Sequence, residues 1–196
     1  MKKVWHAATE SPYSTSYTHL RGYHAGRPTD VGDYLTFGIQ LFNQENMRQK
    51  AASLFGKTLP EIKDLEDERN FSSSKEIYFC ISTSELINNS GHYLCWGSEY
   101  FAGLASSLDR NIFGQHHRKL EETGIPTIFI CDVPIELIPM YLLDDLAGYN
   151  VRHHCSFWIR ESLSADCIVG HEHPKQFFNP VQNRRYINHQ TECRYC

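Results

Sequence analysis

At 196 residues and a formal net charge of −4, the chain fits one domain of about 100–200 residues and leaves little room for two. Hydrophobic residues make up 41% and aromatics 13%, enough apolar side chain to offset the entropy of ordering, which excludes global disorder. The acidic balance argues against a strongly basic nucleic-acid binder that works mainly by counterion release.

The opening Met-Lys-Lys-Val-Trp-His has a basic pair with no apolar run behind it, so no secretory signal is expected. Residues 4–8 read as a first strand. Residues 9–32 read as a long loop without clear period, and long loops in compact domains are often functional. His19, Arg21, Tyr23, His24 and Arg27 are therefore candidates for ligand contact, with surface solvation as the competing explanation. Residues 33–38 read as a strand. Ile39, Phe42, Met47, Ala51, Leu54 and Phe55 fall near helical spacing until Gly56 stops the run.

A second helix is predicted with Pro60 in its first turn and Asp67 near its end, then a turn over 71–75. Alternation over 77–81 predicts a buried strand, with Ser84 capping a short helical turn. A loop at 88–91 leads to 92–96, a strand by its aromatics, and Ser98 is the N-cap of a helix over 99–108. The strongest strand is 127–133, followed by a helix over 135–146 and by strands at 155–159 and 166–169. Phe177 and Phe178 are strand-like within a polar end.

The stretch 125–143 is interrupted by Asp132, Pro134, Glu136 and Pro139, and cannot cross about 30 Å of hydrocarbon as one helix. Seven cysteines, an odd count, read as reduced thiols, so a cytoplasmic protein without membrane contact is expected. No glycine-rich βαβ fingerprint or P-loop occurs. The expected fold class is α+β, a compact mixed β-sheet core with packed helices, as a single domain over 1–196. From about residue 150 it becomes a Cys/His-rich basic portion, since 150–196 carry +2 and the remainder −6.

Four pieces in order suggest chemistry: His6 in the first strand, Tyr34 after Gly32, a long helix, and Glu99 in Trp-Gly-Ser-Glu-Tyr. Together they resemble the ADP-ribosyltransferase superfamily. In that family an early strand carries a His or Arg, a following strand an aromatic that stacks on nicotinamide, and a later Glu completes the site. The resemblance implies NAD as substrate, His6 on the nicotinamide ribose, Tyr34 on the nicotinamide ring, and Glu99 as the catalytic carboxylate on the ribose 2′-hydroxyl. Thr9, Arg21 and Ser98 would line the same cleft.

The chemistry explains why such residues recur. Breaking the bond between ribose C1′ and nicotinamide creates an oxocarbenium-like centre that a carboxylate stabilises, while an aromatic face fixes the departing ring. Within the superfamily the segments 32–35, 93–100, 125–129 and 168–174 look closest to small bacterial toxins, especially the mRNA-modifying ADP-ribosyltransferase of a toxin–antitoxin–chaperone anti-phage system. That implies an RNA acceptor, or a protein one, with an antitoxin and a chaperone as partners. Where many relatives have His-Gly-Thr this chain has His6-Ala7-Ala8-Thr9. No Glu-x-Glu pair surrounds Glu99, because position 97 is Gly97, so an arginine acceptor is not expected. Of two Ser-Thr-Ser triplets, 14–16 and 82–84, only the second follows a strand.

Each residue also has an ordinary explanation. A Glu behind a Ser cap suits any helix macrodipole, a strand His is commonly a satisfied core residue, and Tyr34 can simply pack. At the C-terminal end, Cys167-x3-His171-x-His173 and Cys193-x2-Cys196 have ligand chemistry for zinc. Their spacing is irregular, and no metal ligand is assigned. Arg152, His153, His154, Arg160, Lys175, Arg184, Arg185 and Arg194 form a basic, aromatic-interleaved region suited to RNA. The alternative function is therefore a non-catalytic RNA- or protein-binding module, stabilised by zinc; a thiol enzyme using Cys95 or Cys155 ranks last.

Overall fold

The computed structural model describes residues 1–9, 16–69, 75–111, 113–148, 156–189 and 193–196. The elements form around a sheet whose central strand was hidden in the predicted loop. β1 (Val4–Trp5) is followed by β2 (His19–Gly26), which pairs antiparallel with β4 (Thr127–Pro134) along its whole length, from His19 opposite Pro134 to Gly26 opposite Thr127. The disguise has a steric cause. β2 carries Gly22 at its crowded centre, where a Cβ would sit 2.7 Å from Cζ of Phe157, so the position closest to the core has no apolar side chain to show.

Residues 31–37 form a helix rather than a strand. In α1 (Val31–Phe37) the Asp30 side chain accepts from Gly32 N at 2.8 Å and caps the first turn. Two turns are too few for a clear helical period. Gly38 ends it at φ 78°, with Leu163 O only 1.9 Å from where a Cβ would be, so no other residue fits there. α2 (Gln44–Phe55) starts at the Asn43 cap, and α3 (Leu59–Arg69) follows. The predicted turn at 71–75 lies outside the described residues apart from Lys75.

β3 (Ile77–Cys80) forms as expected, but the cap of α4 (Thr83–Asn88) is Ser82, whose Oγ accepts from Glu85 N, not Ser84. The 92–96 segment is a second correction: α5 (His92–Trp96) is a single helical turn closed by Gly97 at φ 81°. α6 (Glu99–Asp109) begins at Ser98, whose Oγ accepts from Phe101 N at 3.3 Å. α7 (Gln115–Glu122) precedes β4. The helix predicted over 135–146 is split at Pro139 into a 3-10 turn (Ile135–Leu137) and α8 (Met140–Ala147).

β5 (Ser156–Ile159) is an edge strand, and β6 (Ile168–Glu172) follows a 3-10 turn (Ala165–Cys167). β7 (Gln176–Asn179) and β8 (Arg184–Ile187) make a separate hairpin. Among the described residues the main sheet runs β5-β3-β2-β4-β6, with β1 parallel to β2 beside Leu20. All its other pairings are antiparallel.

Strand side chains alternate faces, and the sheet divides the core accordingly. Leu20, Phe79, Phe129, Cys131, Val133 and Phe157 pack on one face with Val31 and Tyr34 of α1 and the leucines of α8. Ala25, Tyr23, Cys80 and Ile128 pack on the other against α2, α3, α5, α6 and Leu120 of α7. Full burial of each such Phe or Leu contributes about 1.5–3 kcal/mol. Among the described residues no helix is long and apolar enough to cross a membrane.

The junction of α6 and α7 is held by a carboxylate. Asp109 accepts from the backbone N of His116 and His117 and from their Nδ1 atoms at 2.7 and 3.0 Å. Burial alone would raise its pKa, but these bonds outweigh burial and bring it to about 2 from an ordinary 3.8. A depressed folded pKa means that the stabilisation is full above about 3.8 and is lost as pH falls through about 2. Asp109→Ala is expected to lower stability by about 2–3 kcal/mol at pH 7, with the gap between variant and wild type shrinking below pH 3 in urea unfolding.

Candidate functional site

At the C-terminal end of β2, His24 lies on the same face as Leu20 and Gly22 and meets Tyr34 from α1, ring centroids 6.5 Å apart. Tyr34 stacks on Phe129 of β4 at 4.3 Å and 12°. One face of the phenol is thus fixed by the sheet. Its oxygen ends beside Gly26, 3.6 Å from where a Cβ would be. Burial raises the Tyr34 pKa, with Asp33 adding to it, so the group stays a phenol.

His24 Nδ1 lies 3.0 Å from the carbonyl of Tyr78. A carbonyl only accepts, so Nδ1 carries the proton in that bond and Nε2 keeps its lone pair. No described hydrogen bond engages Nε2. Burial lowers the imidazole pKa against the opposing pull of that carbonyl, which favours the neutral ring at neutral pH. A neutral His with a fixed tautomer and an acceptor nitrogen beside a stacked phenol is the arrangement to explain.

The residues singled out from the sequence are dispersed. Glu99 is the exposed first residue of α6 and accepts from the Tyr93 hydroxyl at 2.7 Å. Tyr93 packs in the cluster with Tyr23 and Cys80, whereas Tyr34 packs in the cluster with Phe129, so the sheet lies between Glu99 and Tyr34. Ser98 is the cap of the same helix, on the same side as Glu99. Arg21 alternates with His24 along β2 and donates from Nε to Asp132 at 2.7 Å, with Lys2 Nζ on the same carboxylate at 2.8 Å.

His6 follows β1, whose register with β2 carries it to the level of Arg21, roughly 10 Å along the strand from His24 at about 3.3 Å per residue. Thr9 closes a turn onto His6, its N donating to the His6 carbonyl at 3.0 Å. His24, named among several loop residues, is the strand histidine that the structure brings to Tyr34. Asp33 of α1 is the acidic residue whose charge reaches Tyr34, and it was not singled out. Ser82 of the second Ser-Thr-Ser triplet is occupied as a helix cap, and most of the first triplet lies outside the described residues.

A cavity of about 190 Å³ lies elsewhere, lined by Arg27, Cys95, Glu121 and Tyr186 among others, and is smaller than the roughly 300 Å³ at which ligand pockets begin. Its arginine is committed, donating to the carbonyls of Thr123 and Leu94 at 3.0 and 3.1 Å and to that of Glu121. Burial, then Glu121, pushes the Cys95 thiol up to about 12, which makes it a poor nucleophile. Cys155, the other thiol considered, lies outside the described residues, as do Arg152, His153 and His154.

No family model, curated protein or solved structure matches this chain.

Metal-ligand chemistry does converge, where the sequence reading assigned none. His171, His173, Cys193 and Cys196 offer ligand atoms that all lie within 4.8 Å of one another. Cys167, counted with them by spacing, instead packs against the cluster around Phe129. The two pairs come from β6 and the C-terminal residues, and only folding brings them together.

Proposed function

We propose that the chain is an NAD-dependent mono-ADP-ribosyltransferase whose nicotinamide-ribose end binds at His24 and Tyr34. The observation that carries this reading is the neutral imidazole of His24, with Nε2 uncommitted, set beside a phenol that Phe129 holds in place. The family resemblance asks for a strand histidine and an aromatic on a following strand; His24 takes the role first given to His6, and the aromatic, Tyr34, comes instead from helix α1.

Nε2 can accept from a ribose hydroxyl, and the Tyr34 ring can orient nicotinamide, so positioning supplies much of the rate. As the C1′–nitrogen bond breaks, its electron pair leaves with nicotinamide; the acceptor nucleophile then bonds to C1′ and releases its proton. The carboxylate that stabilises the developing positive charge is assigned to Asp33, whose charge reaches Tyr34. Glu99, across the sheet, is left to its bond with Tyr93.

An RNA acceptor follows from the family resemblance, with a base-stacking surface on the β3–β5 edge, where alternation sets the Tyr78 side chain on the face opposite His24. Tyr78, 49% exposed, pairs across β3 and β5 with Trp158. Arg160 lies 4.6 Å over the Trp158 ring, and Tyr141 meets that ring edge-on at 6.1 Å. The exposed Tyr78 ring suits an unstacked base, while Arg160 already covers Trp158 and pairs with Glu76 at 3.1 Å. A toxin of this kind calls for a neutralising antitoxin, and a chaperone beside it, on the strength of the resemblance. Incubation with labelled NAD and cellular RNA or protein tests the reading: transfer of one ADP-ribosyl group, seen by mass spectrometry of the acceptor, is expected, and absence of both transfer and NAD-dependent thermal stabilisation rejects it.

The Cys/His cluster favours a second reading, a metal-stabilised RNA- or protein-binding module without catalysis. Stoichiometric metal and RNA binding with no NAD-dependent stabilisation would select it.

A further inference from the structure

We infer that His171, His173, Cys193 and Cys196 form a zinc site that fastens the C-terminal residues to edge strand β6 and to the first turn of α1. This does not rest on the transferase reading. Ligands about 2.0–2.3 Å from a tetrahedral zinc stand roughly 3.3–3.8 Å from one another. Nε2 of His171 lies 3.7 Å from Sγ of Cys193 and 3.4 Å from Sγ of Cys196.

The second observation is at His173. Its Nδ1 lies 3.0 Å from the carbonyl of Pro126 and 3.2 Å from Oγ1 of Thr127, so the carbonyl fixes the proton on Nδ1. Nε2 is then an acceptor, and it is buried without a hydrogen-bond partner among the described residues. Burying such an atom is costly unless something takes up its lone pair. A metal ion does so, and a histidine that donates its other nitrogen to a carbonyl is the usual outer-shell support of a zinc ligand.

The local backbone supplies both pairs. His171 and His173 are two residues apart at the end of β6 and so share a face. Cys193 and Cys196 flank a turn in which Cys196 N donates to the Cys193 carbonyl at 3.2 Å. Two thiolates and two imidazoles in a tetrahedron select zinc over harder cations.

The residues between the thiols reach α1. Arg194 donates to Asp30, the cap of that helix, at 2.5 Å, and the Tyr195 hydroxyl sits 2.0 Å from where a Gly32 Cβ would be. The ion pair is exposed and weak alone. Anchoring the segment that carries both contacts, four bonds from metal to protein, makes them persistent next to the helix that bears Tyr34.

The test is metal analysis of the untagged full chain purified in reductant, with about one zinc per chain expected. The metal-free chain titrated with cobalt should show the intense ligand-field bands of a tetrahedral thiolate site. Cys193→Ser, Cys196→Ser and His173→Asn should each weaken metal binding by roughly a hundredfold or more, beyond the 10–100-fold cost of losing an outer partner. Cys167→Ser should keep the metal. Chelation should speed amide exchange at 30–33 while leaving 44–55 unchanged.

A reduced chain that holds no zinc and gives no cobalt bands would overturn the site, even if the variants fail to fold. Full metal in Cys193→Ser, or loss of it in Cys167→Ser, would do the same. Unchanged exchange at 30–33 after chelation would overturn the fastening of α1. None of these readouts uses NAD, so the zinc site and the transferase reading fail separately.

Discussion

Tyr34→Ala and His24→Ala are each expected to lower NAD-dependent labelling of the acceptor by roughly 10²–10³-fold, the range for losing a positioning or charge-stabilising group at a reacting centre. Glu99→Gln should stay within about twofold of wild type, because the sheet lies between Glu99 and Tyr34. Tyr34 also packs on Phe129, so Tyr34→Ala costs stability as well, and its unfolding curve must be measured beside its activity. Tyr34→Phe keeps the stacked ring and should keep most of the labelling. Asp33→Asn should fall as far as His24→Ala, as the carboxylate role requires. Full labelling by His24→Ala would remove the site from this end of β2, and collapse of labelling in Glu99→Gln would return the carboxylate role to α6.

The second large effect concerns stability. Glu66, 3% exposed, accepts from Nε and Nη2 of Arg48 at 3.0 and 2.6 Å and from the Tyr100 hydroxyl at 2.7 Å, tying α2, α3 and α6 together. Burial, together with donation to Glu66, raises the Tyr100 pKa, which keeps its proton in the network. Glu66→Ala would leave the Tyr100 hydroxyl facing a gap, while the Arg48 side chain, 19% exposed, keeps Glu45 at 3.3 Å, so losing these charge-assisted bonds costs about 2–3 kcal/mol. For a chain of this length that is a fall of about 5–10 °C in melting temperature. Glu66→Gln should lose less, since its amide oxygen can still accept from Arg48. A double cycle with Arg48→Met isolates the coupling, and additive losses would show that no network exists.

Much of the fold was legible where local signals are strong. Ser98 caps α6, Gly56 ends α2, and the β-branched run of β4 needs no context; the start of α2, read from Ile39, falls instead at the Asn43 cap, and Ile39 bridges to Leu163. The errors share one cause. β2 shows glycine where Phe157 fills the space, α1 and α5 are too short to display a period, and the aromatics of 92–96 are buried from several sides of one helical turn rather than on one face of a strand. Each depends on what packs against it, which a local pattern does not contain.

The candidate site divides the same way. His24, Tyr34, the Cys-x2-Cys pair and the His-x-His pair could be named from the chain, because residue type sets what a side chain can bind. Which histidine stands beside Tyr34, on which face Glu99 lies, and which cysteines join His171 could not. Alternation along β2 and β4 decides the face, and the return of the C-terminal residues to β6 decides the cluster. The sequence by itself determined the α+β class, most capped helices and the chemical repertoire; the tertiary structure alone decided which of those groups meet, because contacts between residues distant along the chain follow from strand register and packing and leave no local trace.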